Sequence, residues 1–414
     1  METFTVRGGV PLVGTVPAGG SKNAALPLLF ATLLTRGESV FENVPDIVDV
    51  HVTLAILSCY GAVIRRTAEH IYRIDTTALS DTVPPCALVE RIRASTYLLG
   101  ATLARFGRAY LLPFGGCAFS ARPIDMHLGA IRTLGGTVSE GEVTATHLRG
   151  GHIVFPRISV GATVNALLLA TAAEGESTLE NVAAEPHVGA LIDYLVAAGA
   201  DITVADGRIT VRGGRPLRGA RARIIPDMIE AGTYLLCGPM TGGCVRVTGI
   251  DSQQLSALSE VLRAAGATVT EQGDAMCAEA PRPLSPMSVT AAPYPAFPTD
   301  LQPPVAALMA AHSGGEILDT VFPERYGYLS SLAALGVRSE RHAPLLCIHP
   351  STLHSGELTV PDLRGGAAAL LCALRAEGES RLFGAELLLR GYGDLTGKLT
   401  ALGARIEHRG TRNL

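Results

Sequence analysis

The sequence predicts a two-domain α/β protein in which one unit of about 67 residues returns six times. Three observations predict it: glycines closing helical runs at near-even spacing, strand-like openings that repeat closely, and long apolar helical runs between them. The closing glycines are Gly61, Gly135, Gly199, Gly266, Gly336 and Gly403, separated by 64 to 74 residues. A glycine just past a helix end takes the left-handed backbone that a Cβ penalises.

The units read in order along the chain. Met1-Glu2-Thr3-Phe4-Thr5-Val6 alternates like a strand. The first unit opens with Gly37-Glu38-Ser39-Val40-Phe41-Glu42-Asn43-Val44 and runs through a helix to Gly61-Ala62. The third opens with Gly175-Glu176-Ser177-Thr178-Leu179-Glu180-Asn181-Val182 and closes at Gly199-Ala200. The sixth opens with Gly378-Glu379-Ser380 and closes at Gly403-Ala404. The second, fourth and fifth close at Gly135-Gly136, Gly266-Ala267 and Gly336-Val337. Apolar runs over 24–34, 162–173 and 367–374 predict buried helices. Six units fall into two sets of three, with the midpoint near Pro226.

Composition narrows the function. With 47% hydrophobic and 17% charged residues, the chain is no disordered protein. Its 34 basic and 38 acidic residues leave no basic excess, which argues against nucleic acid or a membrane surface as partner. The apolar runs are too short to span a bilayer, which takes about 20 residues. The start of the chain lacks a charged-then-apolar leader, so a cytoplasmic location is expected. The 8 cysteines contain no CxxC pair, so neither a zinc ribbon nor a redox motif is read. Seven of them lie among aliphatic residues and are expected to pack as small apolar side chains.

Four segments carry candidate chemistry. In Gly19-Gly20-Ser21-Lys22-Asn23, a lysine follows a glycine pair at a helix start, where free N–H groups favour anions. It is not a Walker A loop, and an ordinary turn with a solvated lysine is an equal reading. In Phe114-Gly115-Gly116-Cys117-Ala118-Phe119-Ser120-Ala121-Arg122, the thiol stands alone in a polar glycine-rich loop, where an arginine could lower its pKa if the loop folds back; an incidental loop cysteine is the alternative reading. In Pro298-Thr299-Asp300, the carboxylate opens an apolar helix and reads either as a helix cap or as a base for a hydroxyl. Arg93, Arg325, Arg364 and Arg390 punctuate apolar surroundings, and Asp362 with Arg364 would share one side if that segment is a strand. Arginines scattered in an acidic chain suit a small phosphorylated substrate, because a guanidinium binds phosphate oxygens in pairs.

Taken together, these motifs resemble the enolpyruvyl transferases, in the branch acting on UDP-N-acetylglucosamine. The resemblance runs from Phe4 to about Ile406. It rests on Ser21-Lys22-Asn23-Ala24-Ala25, Arg93-Ala94-Ser95, Gly115-Gly116-Cys117, Ala121-Arg122-Pro123-Ile124-Asp125 and Ser159-Val160-Gly161-Ala162-Thr163. Phe297-Pro298-Thr299-Asp300-Leu301-Gln302, Asp362-Leu363-Arg364 and Arg390-Gly391-Tyr392 complete it. The sister branch, which makes enolpyruvyl-shikimate phosphate, has Ser-Lys-Ser at the lysine and lacks the Gly-Gly-Cys loop.

The resemblance implies an inside-out α/β barrel fold with three units per domain, helices inside and sheets outside. The domains would be residues 22–226, and 1–21 plus 227–414. It implies transfer of the enolpyruvyl group of phosphoenolpyruvate to the 3-hydroxyl of UDP-N-acetylglucosamine, the first committed step of peptidoglycan precursor synthesis. No cofactor and no metal are implied. Lys22, Arg122 and Arg390 would hold phosphoenolpyruvate. Cys117 would be the proton donor or covalent thiol, and the target of the epoxide fosfomycin. Asp300 would take the hydroxyl proton. Asn23 would contact the sugar. Arg122, Pro123, Ile124, Asp125, Met126 and His127 would line the uridine pocket. Arg157, Ile158, Ser159, Val160 and Gly161 would meet the diphosphate. Val321 would also line the substrate site, and Arg93, Arg325, Asp362 and Arg364 would balance charge. The chain departs from the family pattern at Phe114, His187, Met228 and Gly393. The last three of these changes carry the alternative reading, a divergent and catalytically weak UDP-sugar-binding paralogue.

Overall fold

Apolar side chains all around a helix require that the helix be surrounded, and that requirement organises this chain. The computed structural model describes residues 2–115 and 122–410. It divides into two compact units, one running from Gly20 to Ile225, the other joining the residues up to Gly19 to those from Pro226 onward. In the first unit, helices Lys22–Ala31, Leu98–Phe106 and Val160–Ala172 are largely buried, and Leu98–Phe106 packs against both others. In the second, Met228–Thr241, Gln302–Ala311 and Leu363–Arg375 are buried and pack mutually.

Each unit wraps its helices in three principal sheets. In the first unit these are Arg221–Arg223 with Glu38–Glu42, Ile71–Asp75 and Val63–Ala68; His152–Val154 with Gly175–Glu180, Arg208–Gly213 and Asp201–Ala205; and Arg108–Tyr110 with Glu142–Thr144 and Thr137–Val138. The pairing of Arg221–Arg223 with Glu38–Glu42 is parallel and closes the ring, because it joins the end of the third repeat to the start of the first. The second unit closes with help from the beginning of the chain. Thr3–Gly8 lies antiparallel between Gly378–Phe383 and Arg405–Arg409, and Val13–Pro17 runs parallel to Cys244–Thr248. The alternation expected of the first residues is real: Phe4 and Val6 are fully buried.

All six closing glycines take positive φ, from 89° at Gly61 to 109° at Gly199. In every repeat the residue after the glycine returns its N–H to a carbonyl five residues back, as Ala62 does to Leu57 and Ala404 to Leu399. This is the Schellman closure, which satisfies helix carbonyls that otherwise lack donors. The openings match too: Ser39, Ser177 and Ser380 are all fully buried.

Two expectations change. Asp362 and Arg364 do not lie on a strand. Asp362 caps helix Leu363–Arg375, accepting from the N–H groups of Arg364 and Gly365 at 2.9 Å each, so the short polar side chain starts a helix instead. The cysteines are also less uniform than expected. Among the described residues only Cys237 and Cys372 are buried, Cys86 is exposed, and Cys244 and Cys277 approach each other. No described helix is long and apolar enough to cross a membrane.

Candidate active site

In the unit from Gly20 to Ile225, the lysine motif is built as a helix start. Ser21 caps helix Lys22–Ala31 by accepting from the Ala24 N–H. Gly20 permits the approach, since a Cβ there would lie 1.9 Å from the Asn43 carbonyl oxygen. A cation in the first turn opposes the helix dipole, so Lys22 is poorly placed for helix stability. Asp49 compensates: its carboxylate, almost fully buried in the first turn of helix Val48–Cys59, lies 2.7 Å from the Lys22 ammonium. Asn23 follows on the same turn.

Arg93 opens the short 3-10 turn Arg93–Tyr97, and its guanidinium donates to the carbonyl of Arg122. It thereby fixes the backbone just after residues 116–121. Cys117 lies outside the described residues. Beyond Pro123, Ile124 precedes helix Asp125–Thr133, in which Met126 and His127 are buried. Burial first, and the Arg93 charge second, push the His127 imidazole down to about 4. Its two ring nitrogens have no hydrogen-bond partner among the described residues.

The two runs assigned to uridine and diphosphate come together. Arg157 pairs with Asp125 at 3.4 Å on the surface. Ile158 is exposed, and Ser159 caps helix Val160–Ala172. Gly161 faces His127 so closely that a Cβ would stand 3.0 Å from Nε2. Asn165, which the sequence reading missed, holds this helix start in place. Its amide donates to the Gly161 carbonyl, and its oxygen accepts from the Gly100 N–H at 2.7 Å.

The other unit builds a carboxylate held by two guanidiniums. Asp300 sits in the 3-10 turn Thr299–Leu301 and caps nothing, so the helix-cap reading fails. Its Oδ1 accepts from Arg325 at 2.7 Å, and its Oδ2 from Arg364 Nη2 at 2.9 Å and Nε at 3.0 Å. Both arginine side chains are 3% exposed, whereas that of Asp300 is 28% exposed. The carboxylate is thus the outer, reachable member. Burial acts to raise its pKa, but Arg364 and Arg325 outweigh burial and hold it well below the ordinary carboxylate range. Arg364 also lies over the Tyr392 ring, whose hydroxyl meets Thr233 at 3.0 Å. Arg390 ends the turn Ala385–Arg390, two residues before that tyrosine.

Asp319, also missed, folds the segment that delivers Arg325. It accepts from the N–H groups of Val321 and Phe322 and from the Thr299 hydroxyl, the last at 2.6 Å. The departures from the family pattern have structural places as well. His187 is buried in the first turn of helix Pro186–Ala197, Met228 begins the helix capped by Asp227, and Gly393 precedes Asp394 at φ 46°.

The EPSP synthase (3-phosphoshikimate 1-carboxyvinyltransferase) family matches residues 6–399. The chain belongs to that family. It is 39% identical to a UDP-N-acetylglucosamine 1-carboxyvinyltransferase of Chlorobium phaeovibrioides, over 99% of both chains. It is equally similar to UDP-N-acetylglucosamine 1-carboxyvinyltransferase 3 of Caldanaerobacter subterraneus, over 98% of this chain and 99% of that one. Among solved structures, the enolpyruvyl transferase NikO of Streptomyces tendae superposes with a TM-score of 0.88 at 29% identity, covering 99% of each chain. An EPSP synthase of Acinetobacter baumannii shares the fold, with a TM-score of 0.74 at 18% identity. This family member therefore has the two-domain enolpyruvyl transferase fold.

Proposed function

We propose that this protein transfers the enolpyruvyl group of phosphoenolpyruvate to the 3-hydroxyl of UDP-N-acetylglucosamine and releases phosphate, supplying a peptidoglycan precursor. The observation that carries the reading is end-to-end similarity to relatives of that name, 39% over 99% of the chain.

In this reading Lys22, Arg122 and Arg390 hold the phosphoenolpyruvate anion. The Lys22 ammonium, one of whose donors meets Asp49, supplies the positive charge that this role requires. The uridine and diphosphate fall to Arg122–His127 and Arg157–Gly161, with Val321 and Asn23 as further contacts. Protonation of the methylene carbon, assigned to Cys117, makes the neighbouring carbon electrophilic. The sugar oxygen then attacks that carbon, and a tetrahedral phosphate-bearing intermediate forms. Loss of a proton from the new methyl group and of phosphate restores the double bond as an enolpyruvyl ether.

Asp300 has a defined share in this sequence. A carboxylate gripped by two guanidiniums is a weak base but a firmly placed acceptor. It orients the hydroxyl first and takes the proton late, once carbon–oxygen bond formation has made that proton acidic. Positioning and fixed charge supply most of the acceleration, because two anionic substrates must meet.

The test is phosphate release from phosphoenolpyruvate, with and without UDP-N-acetylglucosamine, for the wild type and Asp300→Ala. Sugar-dependent release abolished by the substitution supports the reading. No release from the wild type overturns it.

A further inference from the structure

Strands Cys244–Thr248 and Ala275–Glu279 are antiparallel neighbours, with Cys244 opposite Glu279 and Arg246 opposite Cys277. The two cysteines are therefore diagonal partners on one face of the sheet. Their sulfurs are 2.7 Å apart. A bonded pair needs about 2.05 Å, so closure asks for well under an ångström of movement and no change of register. The face is open to small solutes: Val13, in register with Cys244, is 61% exposed, and Thr268 and Thr270 on the far strand are exposed too. Neither thiol belongs to the proposed transfer machinery. Burial first, and the neighbouring Cys244 second, push the Cys277 thiol up to about 12.

We propose that Cys244 and Cys277 are an oxidative modification site that forms a reversible disulfide with a peroxide as oxidant. One of the two sulfurs attacks the peroxide O–O bond, becomes a sulfenic acid and releases water. The other sulfur then displaces the sulfenic oxygen, which leaves as a second water carrying that thiol's proton. In balance, two thiols lose two electrons and two hydrogens, and one hydrogen peroxide becomes two waters. A thiol reductant reverses the change by exchange. The bond cross-links two already paired strands across a 33-residue separation, so its effect falls on the unfolded chain.

The test treats the folded full-length protein with hydrogen peroxide, blocks remaining thiols and maps the peptides by mass spectrometry. A linked peptide joining Cys244 to Cys277 is expected, lost on reduction and absent from Cys244→Ser and Cys277→Ser. A rise of the thermal unfolding midpoint by a few degrees should accompany it, also reversed by reductant. Each single variant should leave the remaining sulfur unlinked, and a dimedone-type probe should capture it as a sulfenic acid. No linked peptide from the folded wild type, or one formed only after denaturation, overturns the proposal.

Discussion

The ammonium of Lys22 lies 2.7 Å from the carboxylate of Asp49, whose side chain is only 2% exposed. A charge buried this deeply exists for its partner, because an unpaired carboxylate there would be expelled or protonated. Asp49→Asn keeps the shape and one acceptor but removes the charge. It is expected to leave the fold intact and lower kcat/KM for phosphoenolpyruvate by about tenfold, near 1.4 kcal/mol of transition-state stabilisation. Asp49→Ala is expected to destabilise the protein by about 3–5 kcal/mol, since it removes a buried charge partner of the lysine. Steady-state kinetics and urea unfolding separate the two effects.

The Asp300 cluster predicts a pH dependence of stability. Its carboxyl is held below the unfolded-state value, so the unfolded chain binds the proton more readily. The stabilisation is thus fully present above the unfolded value of about 4 and lost only as pH falls below it. Arg364→Met removes one guanidinium and relaxes the depression. The stability gap between wild type and variant should stay constant from pH 5 upward and narrow below about pH 4, as followed by chemical denaturation.

His127 works in a different window. Its folded value of about 4 lies below the ordinary 6.5, because burial disfavours the cation. Between those values the unfolded state holds the extra proton, so stability rises with pH there. The span corresponds to about 3 kcal/mol, gained progressively from pH 4 to 6.5. His127→Gln should flatten that slope. An unchanged slope in the variant would contradict the burial argument.

The role given to Cys117 has a covalent test. Fosfomycin should form an adduct mapped to Cys117 and to no other cysteine, faster when UDP-N-acetylglucosamine is bound. Cys117→Asp should escape it, because a carboxylate is a poor nucleophile toward the epoxide while still able to carry a proton. Peptide mapping after treatment reads both outcomes.

Much of this architecture was legible along the chain. Backbone chemistry is local, so Gly61, Gly135, Gly199, Gly266, Gly336 and Gly403 announce their helix ends without reference to anything distant. Runs such as 162–173 announce burial, because their apolar side chains have no polar face to turn outward. The lysine, the lone loop cysteine and the arginines could be picked out by type and neighbourhood.

What the chain order could not show is which charges meet. Asp300, Arg325 and Arg364 stand 25 and 64 residues apart in their pairings. Only the folded unit turns Asp300 from a helix-cap candidate into the centre of a guanidinium fork. Asp362 and Arg364 fit one side of a strand only if the segment is one, and the sheltered helix beyond Asp362 decided otherwise. Asp49 went unremarked because a carboxylate in a helix's first turn looks like ordinary dipole chemistry. Cys244 and Cys277 read as separate apolar packers because strand register sets their approach. The sequence by itself determined where elements end, which helices are buried and which family the motifs resemble, since these follow from local conformation and residue type. The tertiary structure alone decided the electrostatic partners, because Coulomb attraction and desolvation depend on distance in space and on exclusion of water.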